Sequence, residues 1–336
     1  MTIPYRTRMA LGRLAIILLV VLLVGALIWA GWVFWLSRYV IYTQDGAKID
    51  FSLSENVASG EIAIQPEPGE TVVVSYNDTG AVATTELGPL IGYYVEDSAL
   101  ADNIAQVKAD IQALPAGTAI MVNVKNIRGG FYYSSAVSQT RSSNIDTAAM
   151  DELIGWLKKS GMYTIACVPA LRDREYGLNH TVDGIHHSSR GYLWMDDQGC
   201  YWLNPASGGT LSYLTQTVNE LKALGFHEVL LTDFSIPDSS NIYFDGDKTQ
   251  ALTNAANTIV TSCATGSFAV SFAGNGFTLP EGRCRLYLQN VEPSGISAAV
   301  QASGVADPLI QLVFLTTLYD TRFEEYSALR PLSSAH

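Results

Sequence analysis

An amphipathic helix that runs straight into a short apolar strand, over residues 211–237, constrains this chain more than any other feature of it. Leu211, Leu214, Val218, Leu221 and Leu224 recur at helical spacing, and Gly225 supplies the stop. Val229 to Leu231 then form the uninterrupted apolar run of a strand buried on both faces, which needs a parallel sheet or barrel with helices packed against it. The run ends in Thr232 and Asp233, so an acidic residue arrives where the strand stops. At the carboxyl ends of barrel strands such an acid points to chemistry; a loop or helix-capping aspartate is the alternative.

The same unit recurs along the chain. Ile91 to Val95 reads as a strand, followed by a helix marked by Leu100, Ile104, Val107, Ile111 and Leu114 and ended by Pro115 and Gly117. Ala119 to Val124, a helix over Thr147 to Lys159, and Tyr163 to Val168 continue the alternation. Leu252, Ala256, Ile259 and Cys263 mark a further helix, and Phe268 to Phe272, Leu286 to Leu288 and Ile310 to Leu315 supply further strands. The pattern predicts an α/β fold, a (β/α)8-type TIM barrel. Only seven strands are legible, so the barrel is incomplete or distorted unless an N-terminal β segment or an unrecognised piece closes it. A long aperiodic stretch from Leu171 to about Ser207 is where substrate contacts are expected.

Ahead of the barrel, Leu14 to Leu36 is an uncharged apolar stretch of about the 20 residues that cross a bilayer as a helix. Arg6, Arg8 and Arg13 precede it, so the amino terminus is expected in the cytoplasm and the remainder outside, with the span an uncleaved signal anchor in the cell membrane. The expected organisation is a cytoplasmic tail over 1–13, a transmembrane anchor over 14–36, a β-rich stalk or linker over 37–88 and the barrel over 89–330. Within the stalk, Lys48 to Leu53, Glu61 to Ile64 and Thr71 to Tyr76 read as short β pieces. Without the three tail arginines, 17 basic residues face 32 acidic ones, a formal charge of about −15 that argues against nucleic acid as a partner. Cys167, Cys200, Cys263 and Cys284 carry no metal-site spacing; local loop closure favours pairing Cys167 with Cys200 and Cys263 with Cys284, with free buried thiols the alternative.

The order of these pieces resembles a family of bacterial β/α-barrel domains related to glycoside hydrolases and distantly like the α-amylase barrels. The resemblance spans roughly residues 89 to 320 and rests on Val122-Asn123-Val124-Lys125, Met162 to Pro169, Tyr201-Trp202-Leu203-Asn204-Pro205, and Leu224-Gly225-Phe226 leading to Thr232-Asp233-Phe234 and Pro237. It implies a nucleophile-like position for Asp233. The chain departs from the family in lacking an arginine after Asp233, in having Asn126 where an acid usually follows the second-strand lysine, and in the neutral fifth-strand run Val270-Ser271-Phe272-Ala273-Gly274.

Glycoside hydrolysis needs two carboxyl groups. For the partner of Asp233, Glu292 after the sixth strand is the first choice, ahead of Glu96, Asp173 and Glu175. Substrate contacts are assigned to Lys125, Tyr132, Asp173, Trp194, Trp202, Asn204 and Tyr243, within loops rich in aromatic rings on which sugars stack. His180, Asp183, His186 and His187 match no metal motif, Arg172 to Glu175 read as an exposed charge cluster, and no nucleotide loop or serine-hydrolase elbow is present, so no cofactor and no metal is expected. The expected function is hydrolysis of cell-envelope or environmental polysaccharide or oligosaccharide; the alternative is a barrel that has lost its catalytic carboxylates and binds carbohydrate or organises the envelope.

Overall fold

The computed structural model describes residues 40–43, 46–49, 87–189 and 191–335. The chain divides into two units, Met1–Val74 and Ser75–His336. In the first, Val40–Thr43 and Gly46–Ile49 pair as an antiparallel hairpin. The anchor expected over Leu14 to Leu36 and the pieces Glu61 to Ile64 and Thr71 to Tyr76 lie outside the described residues. Among the described residues no helix is long and apolar enough to cross a membrane.

The second unit is a closed barrel of eight parallel strands. They are β1 Ile91–Val95, β2 Ala119–Asn123, β3 Tyr163–Pro169, β4 Glu228–Phe234, β5 Ala269–Gly274, β6 Leu286–Gln289, β7 Leu312–Leu315 and β8 Ser327–Pro331, each beside its successor, with β8 returning to β1. The strand missing from the sequence reading is thus C-terminal, and no N-terminal segment is needed for closure. Its residues Ala328 to Pro331 pair with Ile91 to Tyr94, and the Ser327 hydroxyl accepts the Leu90 N–H at 2.8 Å.

The helices are α1 Asp97–Gln112, α2 Thr147–Leu157, α3 Arg174–Asn179, α4 Gly208–Leu224, α5 Lys248–Cys263, α6 Ile296–Ser303 and α7 Pro308–Gln311. Each long helix buries the apolar stripe read from its spacing, such as Leu100, Ile104, Val107 and Ile111 on α1 and Leu214, Val218 and Leu221 on α4. Gly225 closes α4 with φ of 99°, a left-handed cap that a side chain would strain. No helix follows β5, so residues 275–285 run to β6 as a loop and the outer ring is incomplete there. Ile310, expected in the seventh strand, lies in α7.

Alternate residues point in and out. Ala119, Met121, Ile165, Cys167, Leu230, Ala273, Tyr287, Val313 and Leu329 fill the barrel, whereas Ile120, Val122, Ala166, Val168, Val229, Leu231, Val270 and Phe272 pack under the helices. The amino end of the barrel holds a buried charge. Glu228 and Arg285 form an ion pair, the hydroxyls of Tyr163 and Tyr287 each donate to Glu228 at 2.9 Å, and Arg285 also donates to the carbonyls of Gly88 and Ile310. At two places backbone crowds the space of a side chain. A Cβ on Gly92 would lie 1.9 Å from the Ala119 carbonyl oxygen, and one on Gly274 would lie 2.0 Å from that of Phe234.

All four cysteines are free and buried, which corrects the expected pairing. Cys167 packs inside the barrel while Cys263 and Cys284 sit in the layer beneath the helices. The described residues of the stretch from Leu171 to Ser207 carry secondary structure of their own. It contains α3, a 3₁₀ turn over Thr181–Asp183, and His186–His187 paired antiparallel with Ile242–Tyr243.

Candidate active site at the carboxyl ends of the strands

A cavity of about 810 Å³ opens at the carboxyl end of the barrel, lined by residues at or just beyond the ends of β1 to β7. Its polar lining includes Asp97, Asn123, Lys125, Asn126, Thr232, Asp233, Asn275, Gln289 and Asn290, and its floor is made by Met121, Cys167, Ala273 and Tyr287. Five carboxamides on one rim give many donors and acceptors for hydroxyl-rich ligands.

Asp233 reaches this cavity through a distortion of β4. The pairing of β4 with β5 shifts register between Leu231 and Phe234, and Asp233 takes φ of 50°. Asn290, just past β6, takes φ of 55°. Left-handed backbone at a non-glycine residue costs energy and clusters where geometry is constrained for function; both of the described non-glycine cases line this cavity. Burial raises the proton affinity of the Asp233 carboxyl above the ordinary aspartate value, against the lowering effects of Arg172, the Thr232 hydroxyl and Lys125.

A second carboxylate in the cavity belongs to Asp97, the first residue of α1. The Asn123 side-chain amide donates to its Oδ1 at 2.9 Å and the buried Tyr132 hydroxyl to its Oδ2 at 3.0 Å, so β2 and the loop after it fix its orientation. Asp97 and Asp233 both act on one group. The Cys167 thiol is pushed up to about 12, first by burial and then by these two carboxylates. Asp97 was not singled out by sequence, because an acid in a helix first turn reads as a favourable dipole contact. The available signal was its place directly after the β1 candidate Glu96.

The other expected site residues separate. Glu292 is exposed, precedes a 3₁₀ turn and lies outside the cavity lining. Glu96 is exposed and accepts the Ser333 hydroxyl at 3.3 Å. Lys125 lines the cavity, yet its ammonium is buried against Asp173 at 2.7 Å. Asp173 has no exposed surface, caps α3 through the Tyr176 N–H and accepts the Tyr213 hydroxyl at 2.9 Å. It is therefore part of a buried network, a correction to the exposed cluster expected over Arg172 to Glu175. Tyr132 is buried and acts on Asp97. Trp202 is buried, donating its indole N–H to Asp196 at 3.1 Å, and Trp194 packs half-buried against the outer core. Asn204 accepts the Ala206 N–H at 2.9 Å within its own turn, and Tyr243 is exposed on the short ribbon beside His186. Trp194, Trp202, Asn204 and Tyr243 do not line the cavity. Asp183, from the histidine-rich stretch, is engaged by the hydroxyls of Ser207 and Tyr176, and the described residues hold no group of three or more His, Cys, Asp or Glu placed for a metal ion.

A closed parallel barrel with a polar cavity at the carboxyl ends of its strands defines a (β/α)8 barrel. Residues 95–264 match a family described as a putative glycosyl hydrolase domain, half of the chain, and the protein belongs to that family. No curated protein sequence matches. Among solved structures, the chain is similar to an inactive variant of an exo-β-N-acetylglucosaminidase from Vibrio harveyi, at 10% identity and a TM-score of 0.50 over 72% of this chain and 50% of that one. It also matches the glycoside hydrolase domain of PelA from Pseudomonas aeruginosa, at 11% identity and a TM-score of 0.45 over 73% and 95% of the two chains. A hypothetical protein from Ruminiclostridium thermocellum matches at 16% identity and a TM-score of 0.45 over 54% and 96%. At 10% identity the likeness to the acetylglucosaminidase is one of fold.

Proposed function

We propose that this protein is a glycoside hydrolase that acts on cell-envelope or environmental polysaccharide, held outside the cell by an anchor over residues 14–36, with Asp233 and Asp97 as its two working carboxyl groups. The observation that carries the reading is that one cavity, at the end of the barrel where such enzymes do their chemistry, holds both carboxylates, one of them on strained backbone. One carboxyl must give a proton to the leaving glycosidic oxygen while the other attacks the anomeric carbon or deprotonates a water that does. Burial favours the protonated form of Asp233, which suits it to the donor role. Asp97, with both oxygens held by Asn123 and Tyr132, takes the other. This reverses the nucleophile-like role that the family resemblance implies for Asp233.

A recognition-only reading draws on the fifth strand, where Ala273 and Gly274 line the cavity in place of an acid. Reducing-sugar release and glycan-array binding, measured on the protein and on its Asp233→Asn and Asp97→Asn variants, separate the two. Hydrolysis that falls by about 10²-fold or more in each folded variant supports the enzyme. Binding without release in all three establishes recognition, and full activity in Asp233→Asn removes that residue from the chemistry.

A further inference from the structure

Among the described residues, Arg172 is the basic side chain in ion-pair range of Asp233, and the long loop after it supplies the partners of its guanidinium. Its Nε and one terminal nitrogen both reach Asp196 Oδ2 at 2.6 Å, while the other terminal nitrogen stops 3.9 Å from Asp233 Oδ1. Asp196 is itself fixed. Its Oδ1 accepts the N–H groups of Gln198 and Cys200, its Oδ2 accepts the Trp202 indole N–H, and the Trp202 ring lies under the guanidinium at 5.7 Å. Burial opposes ionisation of Asp196, and the bonds from Cys200, Trp202 and Arg172 outweigh it, so its carboxyl lies below the usual range and stays charged. The backbone completes the clamp, since Arg172 pairs with Trp202 as an antiparallel bridge and Leu203 N–H donates to the Leu171 carbonyl at 2.6 Å.

We infer that Asp196 is a positioning residue that holds Arg172 away from full contact with Asp233 and thereby limits the pull of that guanidinium on the Asp233 carboxyl. This rests on the reading of Asp233 as proton donor. A guanidinium that gives two of its N–H groups to one carboxylate oxygen is anchored by charge-assisted bonds, so its remaining pull on a second carboxylate is weaker. The other groups acting on Asp233 are Lys125 from β2, whose charge is paired with Asp173, the Thr232 hydroxyl at 3.5 Å, and the Asp196 carboxylate itself, whose charge raises the proton affinity of Asp233 directly. The Cys167 thiol from β3 lies close enough to be influenced by Asp233 and is neutral over the working range. Arg172 is thus the one whose pull on Asp233 the loop can release or withhold.

The signs of the two loop substitutions are opposite. Asp196→Asn releases Arg172 towards Asp233 and removes a nearby negative charge, so the Asp233 midpoint moves to lower pH. Arg172→Gln removes the opposing cation, so the midpoint moves to higher pH. The test is carbon-detected NMR titration of ¹³C-aspartate-labelled protein, with the Asp233 signal assigned from Asp233→Asn. Opposite displacements support the inference when the Asp196→Asn displacement shrinks in an Arg172→Gln background; a displacement of equal size there is the direct charge effect of Asp196 alone and overturns it. Displacements in the same direction, the expected result of a loop that merely loosens, overturn it, as does an Asp233 midpoint that neither variant moves. The alkaline limb of the hydrolysis pH profile follows the same displacements if Asp233 is the donor. A moved NMR midpoint without a moved limb, or with no hydrolysis at all, upholds the tuning and refutes the donor role instead.

Discussion

Arg285→Met isolates what the buried charge at the amino end of the barrel contributes. Glu228 has no exposed surface, and the variant leaves its carboxylate with only the Tyr163 and Tyr287 hydroxyls as donors. Removing one partner of a buried ion pair costs about 3–5 kcal/mol, because the remaining charge loses its compensation without regaining water. Two further donors vanish, at 2.7 Å to the Gly88 carbonyl and 3.2 Å to the Ile310 carbonyl, and these place the loss at the upper end of that range. Met fills much of the arginine's volume, so a cavity contributes little. Urea unfolding followed by circular dichroism measures the effect as a lower midpoint at constant slope. Adding Glu228→Gln removes the stranded charge, so the double variant is more stable than Arg285→Met alone, a non-additivity expected of contacting residues. A loss below about 1 kcal/mol in Arg285→Met, the range of an exposed pair, refutes the argument that this charge is sealed from solvent.

Gly274→Ala forces its Cβ to within 2.0 Å of the Phe234 carbonyl oxygen and must shift backbone adjoining Asp233, so stability drops by about 3 kcal/mol or more and any turnover drops with it; an unchanged urea midpoint contradicts that close approach. The Cys167 thiol, pushed up to about 12 by burial and the neighbouring Asp97 and Asp233 carboxylates, stays neutral in the native protein. Iodoacetamide at about pH 8 therefore leaves it unmodified until denaturant is added, as peptide mass spectrometry reads directly, and prompt native labelling contradicts it.

The alternation of helix and strand was legible because parallel strands covered on both faces are written as apolar runs, and the helices between them carry one apolar stripe each. β8 escaped because its sequence, Ser327 to Pro331, offers only Ala328 and Leu329 as adjacent apolar residues and ends in proline. Pairing with β7 and β1 makes it a strand, and that information lies elsewhere in the chain. Asp233 was visible as an acid ending an apolar run, whereas its φ of 50° and the register shift behind it leave no local signature. Four consecutive charges over Arg172 to Glu175 look alike in sequence. Tertiary contacts divide them, sending Asp173 into the buried pair with Lys125 and Arg172 towards Asp196 and Asp233. Glu292 and Asp97 each follow a strand closely, and the difference is that α1 starts immediately after β1 and brings Asp97 over the barrel mouth.

The two ends of the barrel treat charge in opposite ways, and this separates stability from chemistry. At the amino end, Glu228 is matched by Arg285 and two tyrosine hydroxyls, an arrangement that is worth having only when every partner is present. At the carboxyl end, Asp233 keeps partial exposure, a distant guanidinium and a single hydroxyl at 3.5 Å, on backbone that a glycine would hold with less strain. A carboxylate there selected for packing alone would be driven towards closer pairing or towards glycine, because both relieve cost. That Arg172 is instead tied back to Asp196, with Trp202 supporting the tie, means the chain spends several of its own interactions on keeping Asp233 incompletely satisfied. That incompletely satisfied state, at the mouth of an open cavity, is what the proposed donor role of Asp233 draws on.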